Sequence, residues 1–408
     1  MTLTEELNFR GFINQTTYKD LSILNDQQIT FYWGVDPSAP SMTIGNLAAA
    51  MMAKTFMTHG HKAILLVGGA TGLIGDPDGK SEERNLKTRD EIEANKKAII
   101  NQYKQIFRGH DFDVVDNYDW FKGIGYLDFL RDIGKHVPMR QMLGRDFVET
   151  RLSENGAGIS YAEFSYVLIQ AYDFYWLNQH KGVTLQLCGS DQWGNSIAGV
   201  DLTRRLTGNE THVWSTPLIV NKATGKKFGK SEEGAVWLDD SLTSVYKFYQ
   251  FWLNADDEGV ADYLKIYTNT NDEELSLLMA EFDGARHNRV AQKALAYSVT
   301  SLVHGQDRAD EIVRVTESLF GKQNFIELEK HEKQIIEKEF GSVHYTEDLA
   351  DLLVNSNLAS SKTEARRFLE QGSITVNGQK AGPTNLDLFV DGLNLVKKGK
   401  NSFAIVNK

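Results

Sequence analysis

Along the first half of the chain, short apolar runs alternate with longer segments whose apolar positions recur at helical spacing. Gln28 to Asp36 (QITFYWGVD) reads as a strand, and Ile44 to His59 as a helix stopped by Gly60. Lys62 to Val67 is a mostly apolar strand leading into the turn GGATGLIGD. Thr88 with Glu91 forms a capping box that opens a helix to about Phe107. Phe112 to Val115 predicts another strand, Tyr161 to Gln179 a long helix ended near Gly182, and Val183 to Leu187 a strand followed by a helix after Ser190. Such alternation needs parallel strands and predicts a doubly wound α/β sheet, with ligands at the carboxyl ends of its strands.

From about Ser241 to Leu319 the strand signal fades and helical periods take over, as in SVYKFYQFWLNADD and ELSLLMAEFD. Residues 320 to 345 are charged and read as a helical connector. A helix from Ser361 to Gln371 and a strand–Asn–Gly–strand hairpin in QGSITVNGQKAG mark a small α+β domain. The expected boundaries are 1–220 for the α/β domain, 221–325 for a mobile loop and helical domain, 326–345 for a linker and 346–408 for the last domain.

Composition narrows the classes. With 408 residues, 41% hydrophobic and 24% charged, the chain fits a multidomain globular protein rather than a disordered or membrane one. Its N-terminus, MTLTEELNFR, is acidic where a signal peptide is basic, so a cytoplasmic location is expected. Cys188 is the one cysteine, which excludes a disulfide framework and a four-cysteine metal site. The net charge of −11 argues against a chain-wide nucleic-acid coat. Residues 341–408 nevertheless balance at +1 against −12 for the rest, a hint of an RNA contact in the tail.

Candidate chemistry gathers at strand ends. Tyr32-Trp33-Gly34-Val35-Asp36-Pro37-Ser38 leaves one strand, and Thr43-Ile44-Gly45-Asn46 opens the next helix, whose N-terminal amides suit phosphate. A tight βα turn with Thr and Asn as caps is the plainer reading of the same residues. Tyr166, Gln170 and Asp173 share one face of a largely apolar helix, either toward a ligand or toward solvent. Lys226-Lys227-Phe228-Gly229-Lys230-Ser231 makes a cationic loop able to neutralise a leaving phosphate, or simply an ordinary lysine-rich surface loop. GGATGLIGD lacks the P-loop order, although Asp76 can reach the same crevice; Asp191 and Gln192 sit at the mouth of LQLCGSDQWGN. Convergence of these turns on one crevice is the strongest signal.

Taken in order, Tyr-x-Gly-x-Asp-Pro, the four-residue helix opening, GGATGLIGDP, FSYxxxQAYD, GSDQWGN and KFGKS resemble the bacterial-type tyrosyl-tRNA synthetases, a class I aminoacyl-tRNA synthetase family. The likeness covers nearly the whole chain, including SSKTEARRFLEQGSITVNG, which resembles an RNA-binding domain shared with a ribosomal protein and pseudouridine synthases. It implies a Rossmann-like catalytic domain, an α-helical anticodon-side domain and a C-terminal RNA-binding domain. The implied activity is formation of tyrosyl-adenylate from L-tyrosine and ATP, with transfer of the tyrosyl group to the 3′-terminal adenosine of tyrosine tRNA. ATP is then a substrate with magnesium, and no tightly bound protein metal is expected. A homodimer is also implied.

By matching positions, the resemblance assigns Tyr32 and Asp173 to the substrate phenol, Asp76, Tyr166 and Gln170 to its ammonium group, and Gln192 to its carboxylate side. Gly189 and Asp191 contact the ribose, with Asp36, Ser38 and Gly45 also on the ATP side. Thr43, Asn46, Lys227, Lys230 and Ser231 stabilise the transition state, helped by Lys80 and Arg84. Lys362, Arg366 and Arg367 are candidate tRNA contacts, with a solvated helix face as the alternative. No general base is required, because the tyrosine carboxylate is already a nucleophile. Selectivity against phenylalanine comes from buried polar groups left unpaired, a principle for which this family is itself the standard illustration.

Two features depart from the family. Its helix motif is HIGH, whereas this chain has TIGN, which tryptophanyl-tRNA synthetases commonly carry; neutral donors can therefore serve there. Trp33 stands where a small residue is expected. The alternatives are a tryptophan-specific relative and a catalytically inactive RNA-binding protein.

Overall fold

The computed structural model describes residues 1–77, 86–143, 146–153, 156, 158–225, 228–231, 234–321, 323–400 and 402–408. Contacts divide the chain into two compact units, Met1–Ser244 with Phe251–Val303, and Val245–Gln250 with His304–Lys408.

The first unit is built on six strands: β1 (Gln15–Thr16), β2 (Thr30–Val35), β3 (Lys62–Val67), β4 (Phe112–Asp116), β5 (Leu185–Gly189) and β6 (His212–Thr216). Their order is β1-β6-β5-β2-β3-β4, parallel throughout except for β1 against β6. The chain winds outward from β2 in one direction and returns through β5 in the other, so the switch point lies between β2 and β5. A crevice is expected there.

β3 is nearly all apolar because it is covered on both faces. The helix Ile44–Thr58 packs Phe56 against Phe31 of β2, ring centroids 5.5 Å apart. Both rings are fully buried, each stabilising the fold by roughly 1.5–3 kcal/mol. Trp33 has a clear structural place: it joins Tyr103 and Phe107 of the segment around the helix Arg89–Ile106, at 5.5 and 6.2 Å.

The expected turn over GGATGLIGD is in fact a short helix, Gly69–Ile74. Its glycines are there for close approach rather than for turning. A Cβ on Gly68 would collide with the Asp36 carboxylate and the Thr71 hydroxyl, and one on Gly69 with the Asp116 carboxylate.

The helix Tyr161–Lys181 starts at a capping box between Ser160 and Glu163 and stops at Gly182, whose φ is +67°. Glu163 also receives a bidentate, fully buried pair of 2.9 Å hydrogen bonds from Arg151. The short helix Asp146–Leu152, which carries Arg151, is thereby tied to that first turn.

A two-stranded ribbon, β7 (Lys230–Ser231) with β8 (Gly234–Ala235), and helices including Val260–Tyr267 and Asp272–Gly284 complete this unit. The second unit sets helices Leu349–Asn355 and Lys362–Glu370 on a five-stranded sheet. Its strands are β9 (Val343–His344), β10 (Ile374–Val376), β11 (Gln379–Lys380), β12 (Leu393–Lys398) and β13 (Ser402–Asn407), in the order β11-β10-β12-β13-β9. The hairpin turns on Asn377 and Gly378, both at positive φ as a type I′ turn requires.

Candidate active site

A crevice of about 500 Å³ opens at the carboxyl ends of β2, β5 and β6. Tyr32, Asp36, Ser38, Thr43, Gly45, Asn46, Asp76, Tyr166, Gln170, Asp173, Gly189, Asp191 and Gln192 all line it. Lys80, Arg84 and Lys227 lie outside the described residues, while Lys230 and Ser231 form β7.

At its buried end, Asp173 is 2% exposed. Its Oδ1 accepts from Trp120 Nε1 at 2.9 Å and its Oδ2 from Asn117 Nδ2 at 3.1 Å. Burial holds this carboxyl well above the usual carboxylate range, and the two donors pull it back down. Asn117 Nδ2 also reaches Thr71 Oγ1 at 3.0 Å, and Thr71 donates to Asp36 Oδ1 at 2.6 Å. Asp36 Oδ2 accepts from the Tyr166 hydroxyl at 2.8 Å. One buried hydrogen-bonded chain therefore joins the helix stripe, the exit of β2 and the floor around Asp173. Gln192 Nε2 donates to Asp76 Oδ2 at 2.5 Å, and its Oε1 accepts from Asn195 at 3.0 Å.

The helix opening is braced on three sides. Asn46 Oδ1 accepts both the backbone N–H and the hydroxyl of Thr43, at 2.9 and 3.1 Å. Its carboxamide nitrogen is thus the group left for a ligand. Gln102 Oε1 accepts from the Met42 N–H at 2.9 Å and its Nε2 donates to Ser41 Oγ at 2.8 Å. The Ile44 N–H donates to Val236 O at 3.1 Å, linking the helix start to the chain just past β8. Gly229 is at φ +108°, and a Cβ there would come within 3.0 Å of Ile44 Cγ1. Phe228 before it stacks on Tyr263 at 4.2 Å and is buried among aromatic rings. Phe228 and Gly229 are thereby seated against the helix opening.

Several polar atoms around the crevice are buried without a hydrogen-bond partner, among them the Tyr32 hydroxyl and Gln170 Oε1. Burial raises the Tyr32 phenol's pKa, with Asp173 adding to it, so the hydroxyl stays protonated as a donor. Cys188 also lines the crevice, and burial pushes its thiol up to about 12.

Asn117, Trp120 and Thr71 are missing from the sequence reading. Asn117 and Trp120 follow β4 in DNYDW, one more strand end at the same edge, and that position was the available signal. In the second unit, Lys362 is ion-paired with Asp351, and Arg367 lies 3.5 Å from Glu364 and over the Phe368 ring. Arg366 is exposed with no ion-pair partner among the described residues.

Residues 24–321 match the class I tRNA synthetases (W and Y), and residues 327–406 match the SYY-like C-terminal domain of tyrosine–tRNA ligases. A tyrosine–tRNA ligase of Staphylococcus saprophyticus is 41% identical over 423 residues, covering 99% of both chains. One from Streptococcus suis is 40% identical with both chains fully covered. Among solved structures, a C-terminally truncated mitochondrial tyrosyl-tRNA synthetase of Aspergillus nidulans is 31% identical, with a TM-score of 0.70 over 78% of this chain and 94% of that one.

Proposed function

The chain belongs to the class I tRNA synthetases of the tyrosine and tryptophan family, its activity is that of a tyrosine–tRNA ligase, and we propose how the crevice carries that activity. The observation that supports the assignment is that an unpartnered buried Tyr32 hydroxyl lines the same crevice as the buried Asp173 carboxyl. Together they offer a donor and an acceptor to a phenol, and the indole of tryptophan would leave one of them unmet.

In the first step a carboxylate oxygen of tyrosine attacks the α-phosphorus of ATP and pyrophosphate leaves. In the second, a hydroxyl of the tRNA's terminal ribose attacks the acyl carbon and AMP leaves. Tyr166, Gln170 and Asp76 hold the ammonium group, and Gln192 lies toward the carboxylate. Asp36, Ser38, Gly45, Gly189 and Asp191 face the nucleotide. Thr43, Asn46, Lys227, Lys230 and Ser231 donate to the phosphates as charge develops, with Lys80 and Arg84 as helpers by family resemblance; loss of one such donor typically costs about 10²–10³ in rate. Positioning supplies the rest. Among the described residues no three His, Cys, Asp or Glu are grouped to hold a metal ion, and magnesium is taken to arrive on the phosphates of ATP.

Residues 1–220 carry catalysis in this reading, 221–325 the loop and anticodon-side helices, and 346–408 bind RNA through Lys362, Arg366 and Arg367, with 326–345 as linker. The working form is a cytoplasmic homodimer. Supporting a dimer, Tyr126, Leu127, Met139, Leu143, Leu152 and Tyr161 are large apolar side chains left exposed within one stretch of chain.

The test is amino-acid-dependent exchange of labelled pyrophosphate into ATP, run separately with tyrosine, tryptophan and phenylalanine. Exchange with tyrosine alone is expected, abolished by Asp173→Ala and Lys230→Ala. Variants that activate tyrosine like the parent would overturn the site assignment.

A further inference from the structure

The helix stripe that carries Tyr166, Gln170 and Asp173 continues past the crevice. Trp176 and His180 follow Asp173 by three and seven residues, so the three side chains share one face. Trp176 is half-buried and His180 exposed, positions that an amphipathic helix ordinarily gives to polar residues. Both rings are nevertheless stacked. Trp176 lies 4.2 Å from the Trp120 ring with the planes 14° apart, and His180 lies 4.3 Å from Trp176 at 15°. His180 Nδ1 donates to the Trp176 carbonyl oxygen at 2.9 Å, which fixes the imidazole on the pile.

The pile runs from solvent to the buried end of the pocket, because Trp120 Nε1 is the donor that meets Asp173 Oδ1 at 2.9 Å. An indole has a single N–H, fixed in the ring plane, so turning the ring takes the donor away. Trp120 belongs to the four-residue helix Tyr118–Phe121, and one turn of helix does not hold itself. The ring is held by what packs on it, and Trp176 covers its face. Phe121, next in the chain, is held separately by the rings of Phe129 and Tyr172.

We propose that Trp176 is a positioning residue for the amino-acid pocket: clamped between His180 and Trp120, it holds the Trp120 indole so that Nε1 stays on Asp173. Loss of the clamp leaves Asp173 Oδ1 intermittently without its donor. A buried carboxyl short of donors takes up a proton and turns from an acceptor into a donor. The pocket then loses affinity for a phenol, while the nucleotide side is untouched.

The inference rests on the crevice being the tyrosine site with Asp173 on the phenol, which tyrosine-dependent exchange by the parent and its loss in Asp173→Ala test independently. Trp176→Leu keeps apolar bulk without a flat face, whereas Trp176→Phe keeps a ring that can stack. At a half-exposed position the fold should survive either change. Trp176→Leu should raise the tyrosine KM about three- to tenfold, the scale of one stacked aromatic pair, and leave the ATP KM within about twofold. Trp176→Phe should bring the tyrosine KM back to within about twofold of the parent, even if its melting temperature stays lower. In a Trp120→Phe background, which has no N–H for Asp173, Trp176→Leu should change the tyrosine KM by less than about twofold. An unchanged tyrosine KM in Trp176→Leu would overturn the proposal, as would both KM values rising together, or effects of the Trp120 and Trp176 substitutions that add in full. A parent that fails to exchange with tyrosine, or an Asp173→Ala variant that exchanges like it, would instead overturn the reading of the site.

Discussion

The Tyr166 hydroxyl donates a 2.8 Å hydrogen bond to Asp36 Oδ2, across 130 residues of chain. A phenol has one proton to give, so this bond turns its lone pairs toward other donors, and the neighbouring carboxylate makes them stronger acceptors. Burial, with Asp36 adding to it, raises the phenol's pKa, so it keeps that proton at every working pH. Tyr166→Phe should therefore raise the tyrosine KM by roughly 10–150-fold, the usual scale for a hydrogen bond to a charged group. Steady-state exchange kinetics would show it.

Asn117→Ala removes donors from both Asp173 and Thr71. Since the Asn117 contact lowers the Asp173 pKa, its loss should raise that pKa further and move the acid limb of tyrosine binding to higher pH. The sign for stability is set by the same shift. Folding raises this carboxyl's pKa, so its contribution is fully present below the unfolded value and lost as pH rises through the folded one. A pH series of tyrosine titrations on parent and variant checks the first point.

Cys188 should be inert to thiol reagents at pH 8 in the folded protein and react fully once unfolded. Its thiol is pushed from 9.0 up to about 12 by burial, and the thiolate is the reactive form. The stability linked to it is complete below about pH 9 and declines as pH rises toward 12. Reagent titration with and without denaturant, repeated at pH 10, would show both effects.

In the second unit, Arg366→Glu should weaken tRNA binding more than Lys362→Ala, because Lys362 is already engaged with Asp351. If Arg366 meets a phosphate, the slope of log K against log salt should fall by about one unit. Filter binding across a salt series measures it.

Leu127→Glu should shift the protein toward monomer in sedimentation at micromolar concentration. Leu127 is 76% exposed, so a charge there costs a single chain little, while a buried interface would have to desolvate it. An unchanged sedimentation coefficient would remove this stretch from the proposed dimer contact.

Much of this was legible from pattern alone. β3 begins and ends where its apolar run does, and the capping box at Thr88 opens its helix where side-chain chemistry dictates. Crevice-lining residues such as Asp36, Gly189 and Asp191 were legible because they sit at or just past strand ends, where any parallel sheet gathers its crevice. GGATGLIGD was misjudged because glycine tolerates crowding as well as turning, and only the fold reveals that Asp36 and Asp116 press on it. Asn117 and Trp120 serve Asp173 from a distant segment, and no spacing rule links them.

The Asp36–Thr71–Asn117–Asp173 chain also bears on how the pocket can be altered. Substitutions along it share partners, so their effects should couple rather than add, typically by about 0.5–3 kcal/mol. Retargeting the site to another amino acid by changing Asp173 alone would strand Asn117 and Trp120, and the disturbance would run on to Asp36 at the exit of β2. Libraries that vary Asp173, Asn117 and Thr71 together should therefore yield active variants that no sequence of single steps reaches.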